Sequence, residues 1–441
     1  MEYENTPVES ATTTQGLVIN RIFTKPEVSV YDMIEYDNRT SIIRNPDGSV
    51  VFDMKNVEVP TSWSQIATDI LAQKYFRKAG VPEVESENSI KQVVHRLVGC
   101  WTDWGTKFGY FNSTKDSKSF YEEMSYILLN QMGAPNSPQW FNTGLKYAYG
   151  ITGNPQGHYY VDPKTKQLTQ SKDAYSRPQP HACFILSVRD DLVNEGGIFD
   201  LVTREARIFK YGSGVGTNFS SIRGKGEKLS GGGTSSGLMS FLKINDCAAA
   251  AIKSGGTTRR AAKMVILDID HPEIETFITW KSSEEDKVAN LVAGSTVCRE
   301  HTNTILKEAN RHGINLKENT ALRTAIKNAY DAKVPSQLIL RALELAKQGV
   351  GKLEMNEFDT HYEGDAYLTV SGQNSNNSIR VTNNYMEALE SNTNWKLINR
   401  TDRRVYKEIP AQKIWDDLGM SAWVSADPGL QFDTTINDWH T

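Results

Sequence analysis

Four thiols, one acidic turn and a set of glycine- and serine-rich loops are the parts of this sequence equipped for chemistry. Cys100, Cys183, Cys247 and Cys298 are widely scattered and form no C-x-x-C pair, His-flanked cluster or even-spaced framework. That spacing argues against structural zinc and against a secreted disulfide scaffold. A reduced, partly buried, inert thiol is the ordinary state of such cysteines, so a functional one has to be marked by its neighbours. The loops are Asn136-Ser137-Pro138, residues 212–216, Arg223 and Ser254-Gly-Gly-Thr-Thr-Arg-Arg260. Backbone N–H groups in Gly/Ser turns and the fork-shaped guanidinium are the usual grip on phosphate, which points to a nucleotide. Solvated arginines on an ordinary turn would look the same, and residue chemistry alone leaves that choice open.

Several nucleotide and metal motifs are excluded. A Walker A loop needs G-x-x-x-x-G-K-[ST], whereas Gly232 to Gly237 is followed by Leu238 and lacks the phosphate lysine. Gly212-Ser-Gly-Val-Gly216 imitates part of a dinucleotide fingerprint, but helical residues precede it and the last glycine is misplaced. Asp268-Ile-Asp-His271 reads as the start of a helix rather than a metal pair, because Pro272, Glu273 and Glu275 follow.

The elements that must position these groups fall into three textures. Residues 1–60 alternate short β-rich runs (17–22, 49–53) with the turn Asn45-Pro46-Asp47-Gly48, and are expected to form an N-terminal arm. Residues 61–133 are expected to be a helical region: 62–79, with a Ser62/Gln65 capping box and Ile66 and Ile70 on one face, then 88–98 and 117–132. From 134 to 441 the pattern is α/β, with apolar runs at 182–188 and 264–269 and helices at 199–211, 238–252 and 411–424. Within it, 295–367 is expected to be a helical insertion with helices at 302–311, 318–331 and 335–348; the α/β texture resumes at 367–370. The chain has 49 basic and 53 acidic side chains and a formal charge of −4, so no bulk basic surface for nucleic acid is expected. No apolar run is long enough for a membrane span, and the acidic start MEYENTPVESATTTQG is unlike a secretory signal, so a cytoplasmic chain is expected.

Five segments occur in order: Ala134-Pro-Asn-Ser-Pro-Gln-Trp-Phe-Asn-Thr-Gly144, Pro180-His-Ala-Cys-Phe-Ile-Leu186, Tyr211-Gly-Ser-Gly-Val-Gly-Thr-Asn218, residues 254–262 and Ser371-Gly-Gln-Asn-Ser-Asn-Asn-Ser-Ile-Arg380. Together they resemble the large catalytic chain of a class II, adenosylcobalamin-dependent ribonucleotide reductase. The resemblance implies the first half of a ten-stranded α/β barrel behind the N-terminal helical region. It makes Cys183 the first member of the redox pair that delivers reducing equivalents to the ribose 2′ position, with Ala182 the small residue pressed against the nucleotide. Ser137 matches a hydroxyl in the substrate-phosphate region, and Ser213 and Gly214 match the loop whose backbone approaches substrate. Asp190 and Arg223 resemble residues that hold a deoxynucleoside triphosphate effector. Ser254, Gly255, Gly256, Thr257, Thr258, Arg259 and Arg260 resemble the loop that relays effector identity to the substrate base. Cys100, Cys247 and Cys298 match no family position and are expected to be structural thiols; no metal-ligating residue is expected.

The family's reaction needs a thiyl radical, a carboxylate base and two thiols that close to a disulfide, hence three cysteines. The N-P-C-S-E finger-loop motif that carries the radical cysteine and the glutamate is absent from this sequence. In relatives it lies a little beyond a segment like Asp427-Pro-Gly-Leu-Gln-Phe-Asp433. A split gene, an intein or trans-splicing junction, or a truncated reading frame would each explain this, and each implies that the chain does not turn over alone. The expected partners are therefore a C-terminal half with the radical and second redox cysteines, a ribonucleoside diphosphate, a thioredoxin-type reductant and a second copy of the assembled enzyme. A catalytically silent deoxynucleotide-binding regulatory subunit is the competing expectation; it would keep Asp190, Arg223 and the 254–260 loop and not need Cys183. A class I large chain fits less well, since no ATP-cone pattern is evident.

Overall fold

The computed structural model describes residues 16–44, 48–155, 157–254, 259–361 and 364–440, with backbone alone at 253–254 and 259–260. The chain forms two compact units, Met1–Phe184 with Glu205–Gly214 and Lys253–Ala261, and Ile185–Arg204 with Val215–Ile252 and Ala262–Thr441.

In the first unit, β1 (Tyr36–Arg44) and β2 (Val50–Pro60) pair antiparallel from Tyr36↔Pro60 onward. This part of the expected arm is a hairpin, and Asn45, Pro46 and Asp47 of its turn lie outside the described residues. The run 17–22 is not a strand. Two carboxylates hold its backbone instead: Ile19 N donates to Asp116 (2.9 Å), and Ile22, Phe23 and Thr24 N donate to Glu123. The helix expected at 62–79 is shorter. Ser64, not Ser62, caps α1 (Gln65–Ile70) by accepting from Ala67 N, and a π-helical turn, Leu71–Tyr75, leads to extended Phe76. The expected Ile66/Ile70 face is turned outward, at 71% and 46% exposure, because Thr68, Leu71 and Ala72 make the buried side.

Helix α2 (Ile90–Lys107) begins with a Ser89/Gln92 capping box and buries Ile90, Val93, Val94, Leu97 and Val98, the spacing of one helical face. It extends past residue 98, and Gly105 allows this: a Cβ there would sit 2.4 Å from the Phe111 ring. Helix α3 (Thr114–Leu129), capped by Ser113, closes the core with Leu128 and Leu129. Two short helices follow, α4 (Ser137–Asn142) and α5 (Leu145–Tyr149), then the hairpin β3 (Tyr159–Val161) and β4 (Leu168–Gln170).

The second unit is built on a parallel sheet. Its strands are β5 (Cys183–Ser187, whose first two residues belong to the first unit), β6 (Gly214–Asn218), β9 (Lys263–Asp268), β10 (Ser375–Val381) and β13 (Gly429–Phe432), in the order β13-β10-β9-β6-β5. The pairs β6/β9, β9/β10 and β10/β13 run parallel. Between β5 and β6 lies α6 (Ile198–Lys210), and between β6 and β9 lie α7 (Leu238–Ala251) and the ribbon β7 (Lys253–Ser254) with β8 (Arg259–Arg260). This strand–helix alternation is the α/β architecture expected, with the five strands of a half barrel.

The insertion is helical as expected: the end of α9 (Trp280–His312), α10 (Thr320–Asp331) and α11 (Ser336–Lys347) share a core of Ile305, Leu306, Leu322, Ala329 and Ala342. Helix α9 starts far earlier than residue 302, directly after α8 (Ile274–Ile278); the polar stretch 281–287 near its start hides that in the sequence. At 367–370 the chain does not re-enter the sheet; it forms the short helix α12 (Asp365–Leu368), and the strand comes at β10. The unit is completed by α13 (Asn383–Glu390), the hairpin β11 (Asn394–Ile398) and β12 (Val405–Pro410), α14 (Ala411–Ser425) and α15 (Asp433–Trp439).

The turn at Asp268–His271 is structural. Asp270 forms a two-pronged ion pair with Arg400 (2.5 and 3.1 Å). His271 is fully buried; its Nε2–H donates to Ile222 O (2.8 Å) and its Nδ1 accepts from Glu273 N (3.0 Å), so the ring is neutral. Burial pushes its pKa down to about 4. The unfolded chain then binds more protons than the folded one between about pH 6.5 and 4, so stability is full above 6.5 and falls as pH drops through that window. A loss of about 3 kcal/mol by pH 4 is expected, read as the pH slope of chemical denaturation, and His271→Gln should flatten that slope.

Candidate functional site

In the first unit, three segments meet at the start of β5. Ala182 O accepts from Gly214 N (2.6 Å) and His181 O accepts from Ser213 Oγ (2.7 Å), so the glycine loop is fastened to the backbone on both residues preceding Cys183. Gly212 permits the turn into that loop with φ +89. Asn142, the last residue of α4, donates from Nδ2 to Tyr211 O (3.2 Å), which ties the helix that begins at Ser137 to the same loop. Ser137 stands at the first position of α4, its hydroxyl 3.2 Å from Tyr75 Oη. The structure thus ties Ser213 and Gly214 to the two residues before Cys183, and the far end of the helix that begins at Ser137 to the same loop. Cys183 is a free, exposed thiol at the first position of its strand; alternate residue Ile185 on that strand is 95% exposed. Ser213 is buried, and its hydroxyl is engaged in holding the strand.

The other cysteines differ. Cys100 is buried on α2, and burial pushes its thiol up to about 12, which keeps it protonated. Cys298 is half-buried on α9. Cys247 departs from the expected partly buried thiol: it is exposed on α7, as are Ile244 and Ala251.

In the second unit, Asp190 and Arg223 are together. Arg223 Nε donates to Asp190 Oδ2 (2.7 Å), its backbone N donates to Oδ1 (3.4 Å), and Nη1 donates to Lys228 O (2.7 Å). Both side chains are about a quarter exposed, at 22% and 26%. In the relay loop, Ser254 pairs with Arg259 across the β7/β8 ribbon, while Gly255, Gly256, Thr257 and Thr258 lie outside the described residues.

The segment 371–380 positions as much as it presents. Asp246 on α7 accepts from Gly372 N (2.8 Å) and Asn374 N (2.9 Å), and Gly372 (φ +77) lies so close to Trp280 that a Cβ would be 2.9 Å from the ring. Beyond that turn, register places Met264, Ile266 and Asp268 beside Asn376, Ser378 and Arg380, and Gly429 and Gln431 beside Ser378 and Arg380, on one face of the sheet. The opposite face, with Val265, Leu267, Ile379 and Val381, is the buried one. Asn218 Nδ2 donates to Asp268 Oδ1 (3.1 Å), and Arg380 is ion-paired with Asp433. Residues 264–269 read in the sequence as one apolar run, as a strand buried on both faces does, so local pattern does not mark Met264, Ile266 and Asp268 as a separate face.

Comparison with known proteins agrees with this arrangement. The ribonucleotide reductase barrel domain family matches residues 181–441, and the class II vitamin B12-dependent ribonucleotide reductase family matches residues 37–131. The vitamin B12-dependent ribonucleotide reductase of Bradyrhizobium diazoefficiens is 55% identical over 96% of this chain and 37% of its own length. The like-named protein of Agrobacterium fabrum is 51% identical over 96% and 36%, and that of Streptomyces clavuligerus 36% identical over 97% and 35%. The chain thus spans about a third of the length of these relatives. Among the described residues no helix is long and apolar enough to cross a membrane. With the barrel family covering more than half the chain and the class II family its N-terminal region, the chain belongs to the class II vitamin B12-dependent ribonucleotide reductases.

Proposed function

We propose that these 441 residues supply the first redox thiol, part of the substrate grip and the effector site of a ribonucleoside-diphosphate reductase. The observation that carries this reading is Cys183 itself, a free exposed thiol at a strand start whose two preceding carbonyls are held by the glycine loop. In the reaction, the 2′ hydroxyl of the ribonucleotide leaves as water while Cys183 and a second thiol close to a disulfide. Their two hydrogens end in that water and in the new C2′–H bond, and two electrons pass to the sugar. A reduced dithiol, such as a thioredoxin-type protein, then restores the pair.

Ser137, Ala182, Ser213 and Gly214 orient the substrate around that thiol. The radical cysteine, the glutamate base and the second redox cysteine come from sequence outside these residues, since no N-P-C-S-E motif is present. Adenosylcobalamin when bound supplies the radical. Asp190 and Arg223 hold a deoxynucleoside triphosphate, the guanidinium on phosphate and the carboxylate on a sugar hydroxyl, and residues 254–260 relay its identity. Homodimerisation and a cytoplasmic location complete the reading; the exposed Ile244, Cys247 and Ala251 on α7 favour the first.

The test is CDP reduction with adenosylcobalamin, a dithiol and an effector deoxynucleotide, comparing this chain alone with this chain plus the remaining sequence of a full-length relative. Activity in the mixture alone is expected. Activity from the chain alone would contradict the assignment of the radical cysteine elsewhere, and effector binding with no activity in either would favour a silent regulatory subunit.

A further inference from the structure

In the first unit, a cavity of about 700 Å³ opens between the end of α6 and the β3/β4 hairpin. Arg207, Lys210 and Tyr211 line it from the helix side, and Gly157, Gln170 and Lys172 from the hairpin side. No carboxylate lines it among the described residues. Its three cations have no acidic partner there either. Among the described residues the side chains of Arg207 and Lys172 make no hydrogen bond or ion pair, and that of Lys210 makes only a contact with the neighbouring Tyr211 ring (5.5 Å).

Some cavity cations of the same unit do have acidic partners. A second cavity, of about 430 Å³, contains Lys107 and Lys146, and these are paired with Asp103 (2.6 Å) and Asp173 (3.4 Å). The dipole of α6 would favour Arg207 and Lys210 in its last turn. It does not account for Lys172, which arrives from a different element. Three like charges converging on one concavity repel each other and focus a positive potential, an arrangement that a bound polyanion relieves. The fork of Arg207, two ammonium groups and the Gln170 amide are donors of the kind that grip phosphate oxygens. The volume lies in the range of small-ligand sites.

We propose that this cavity binds a compact polyphosphate, either a free chain or the triphosphate of a nucleotide. The site uses none of the residues assigned to the redox thiol or to the effector, so it stands or falls separately from the proposed function.

The experiment is calorimetric titration of the 441-residue chain with inorganic tripolyphosphate and, separately, with ATP. The proteins compared are the wild type, the double variant Arg207→Gln/Lys210→Gln, Lys172→Gln and, as a control for the effector site, Arg223→Gln. Tripolyphosphate should bind the wild type and Arg223→Gln alike, about tenfold more weakly to Lys172→Gln and still more weakly to the double variant, with binding falling steeply as salt rises. Tighter binding of ATP than of tripolyphosphate to Arg223→Gln would identify the nucleotide as the source of the phosphate; equal binding would identify the phosphate chain itself. All three altered side chains at the cavity are exposed, so unchanged thermal transitions should accompany the losses. Equal affinity of the double variant and the wild type, loss of binding in Arg223→Gln alone, or no binding to the wild type at millimolar tripolyphosphate would each overturn the proposal.

Discussion

Cys183→Ser should reduce multiple-turnover CDP reduction by the assembled enzyme about a thousandfold or more, equivalent to about 4 kcal/mol of transition-state stabilisation. The serine is nearly isosteric, and the site around it uses backbone atoms: Ala182 O with Gly214 N, and His181 O with Ser213 Oγ. The glycine loop should therefore keep its geometry, and effector binding at Asp190 and Arg223 should be unchanged. What the hydroxyl cannot do is close a disulfide, so the electrons for the 2′ position have no source. A variant that turned over at the wild-type rate would place this chain with the regulators. Cys247→Ser is the matched control, since Cys247 is also exposed and free but lies on α7, outside the loop.

The second large effect concerns stability. Arg96 is fully buried and bonds in four directions: to Glu87 (2.6 Å), to Thr143 O (2.9 Å), to Trp140 O (2.7 Å) and to Tyr75 O (3.4 Å). Glu87, also fully buried, accepts in addition from Tyr149 Oη (2.8 Å) and Arg77 N (2.7 Å). The pair thus fastens α2 to the far end of α4, the helix that begins at Ser137. Removing one partner leaves the other charge buried without its counterion, which costs about 3–5 kcal/mol. Arg96→Ala should lower the melting of the first unit by roughly 10 °C. Replacing both residues with apolar ones of similar size should cost less than the sum of the single changes, because no charge is stranded. A shift of only a degree or two for Arg96→Ala would show that water reaches Glu87 and that the pair does not hold α4.

The sequence makes some of this legible, for physical reasons visible at particular residues. Helices with a strong apolar stripe and a cap, such as α2 with Ser89 and Gln92, can be read from local signals alone. So can β9, whose apolar run sits between the 254–260 loop and the turn at Asp270. The first half of α9 opens on the mostly polar stretch 281–287, which separates Trp280 from the next apolar residue, Val288, and hides the period. In helix α1 the local pattern points to the side shared by Ile66 and Ile70, yet the chain turns Thr68, Leu71 and Ala72 inward. Tertiary packing decided between two faces that local pattern ranked the other way.

The same division applies to the site. Cys183 stands out through the family likeness of the residues around it, not through any property of a lone thiol. The hydrogen bonds that connect it to Ser213, Gly214 and, through Asn142, to the helix of Ser137 join residues far apart in sequence. No spacing rule reaches that far. The three unpaired cations of Arg207, Lys210 and Lys172 are equally non-local, since each alone is an ordinary surface charge.

The most direct test of the central claim is the fate of the Cys183 thiol in a single turnover. The pre-reduced assembled enzyme would be given CDP, adenosylcobalamin and effector without external dithiol, quenched by alkylation and mapped by mass spectrometry. The account predicts one dCDP per active site and Cys183 found in a disulfide, with Cys100 alkylated after unfolding as a free thiol. Formation of dCDP with Cys183 still free would contradict it.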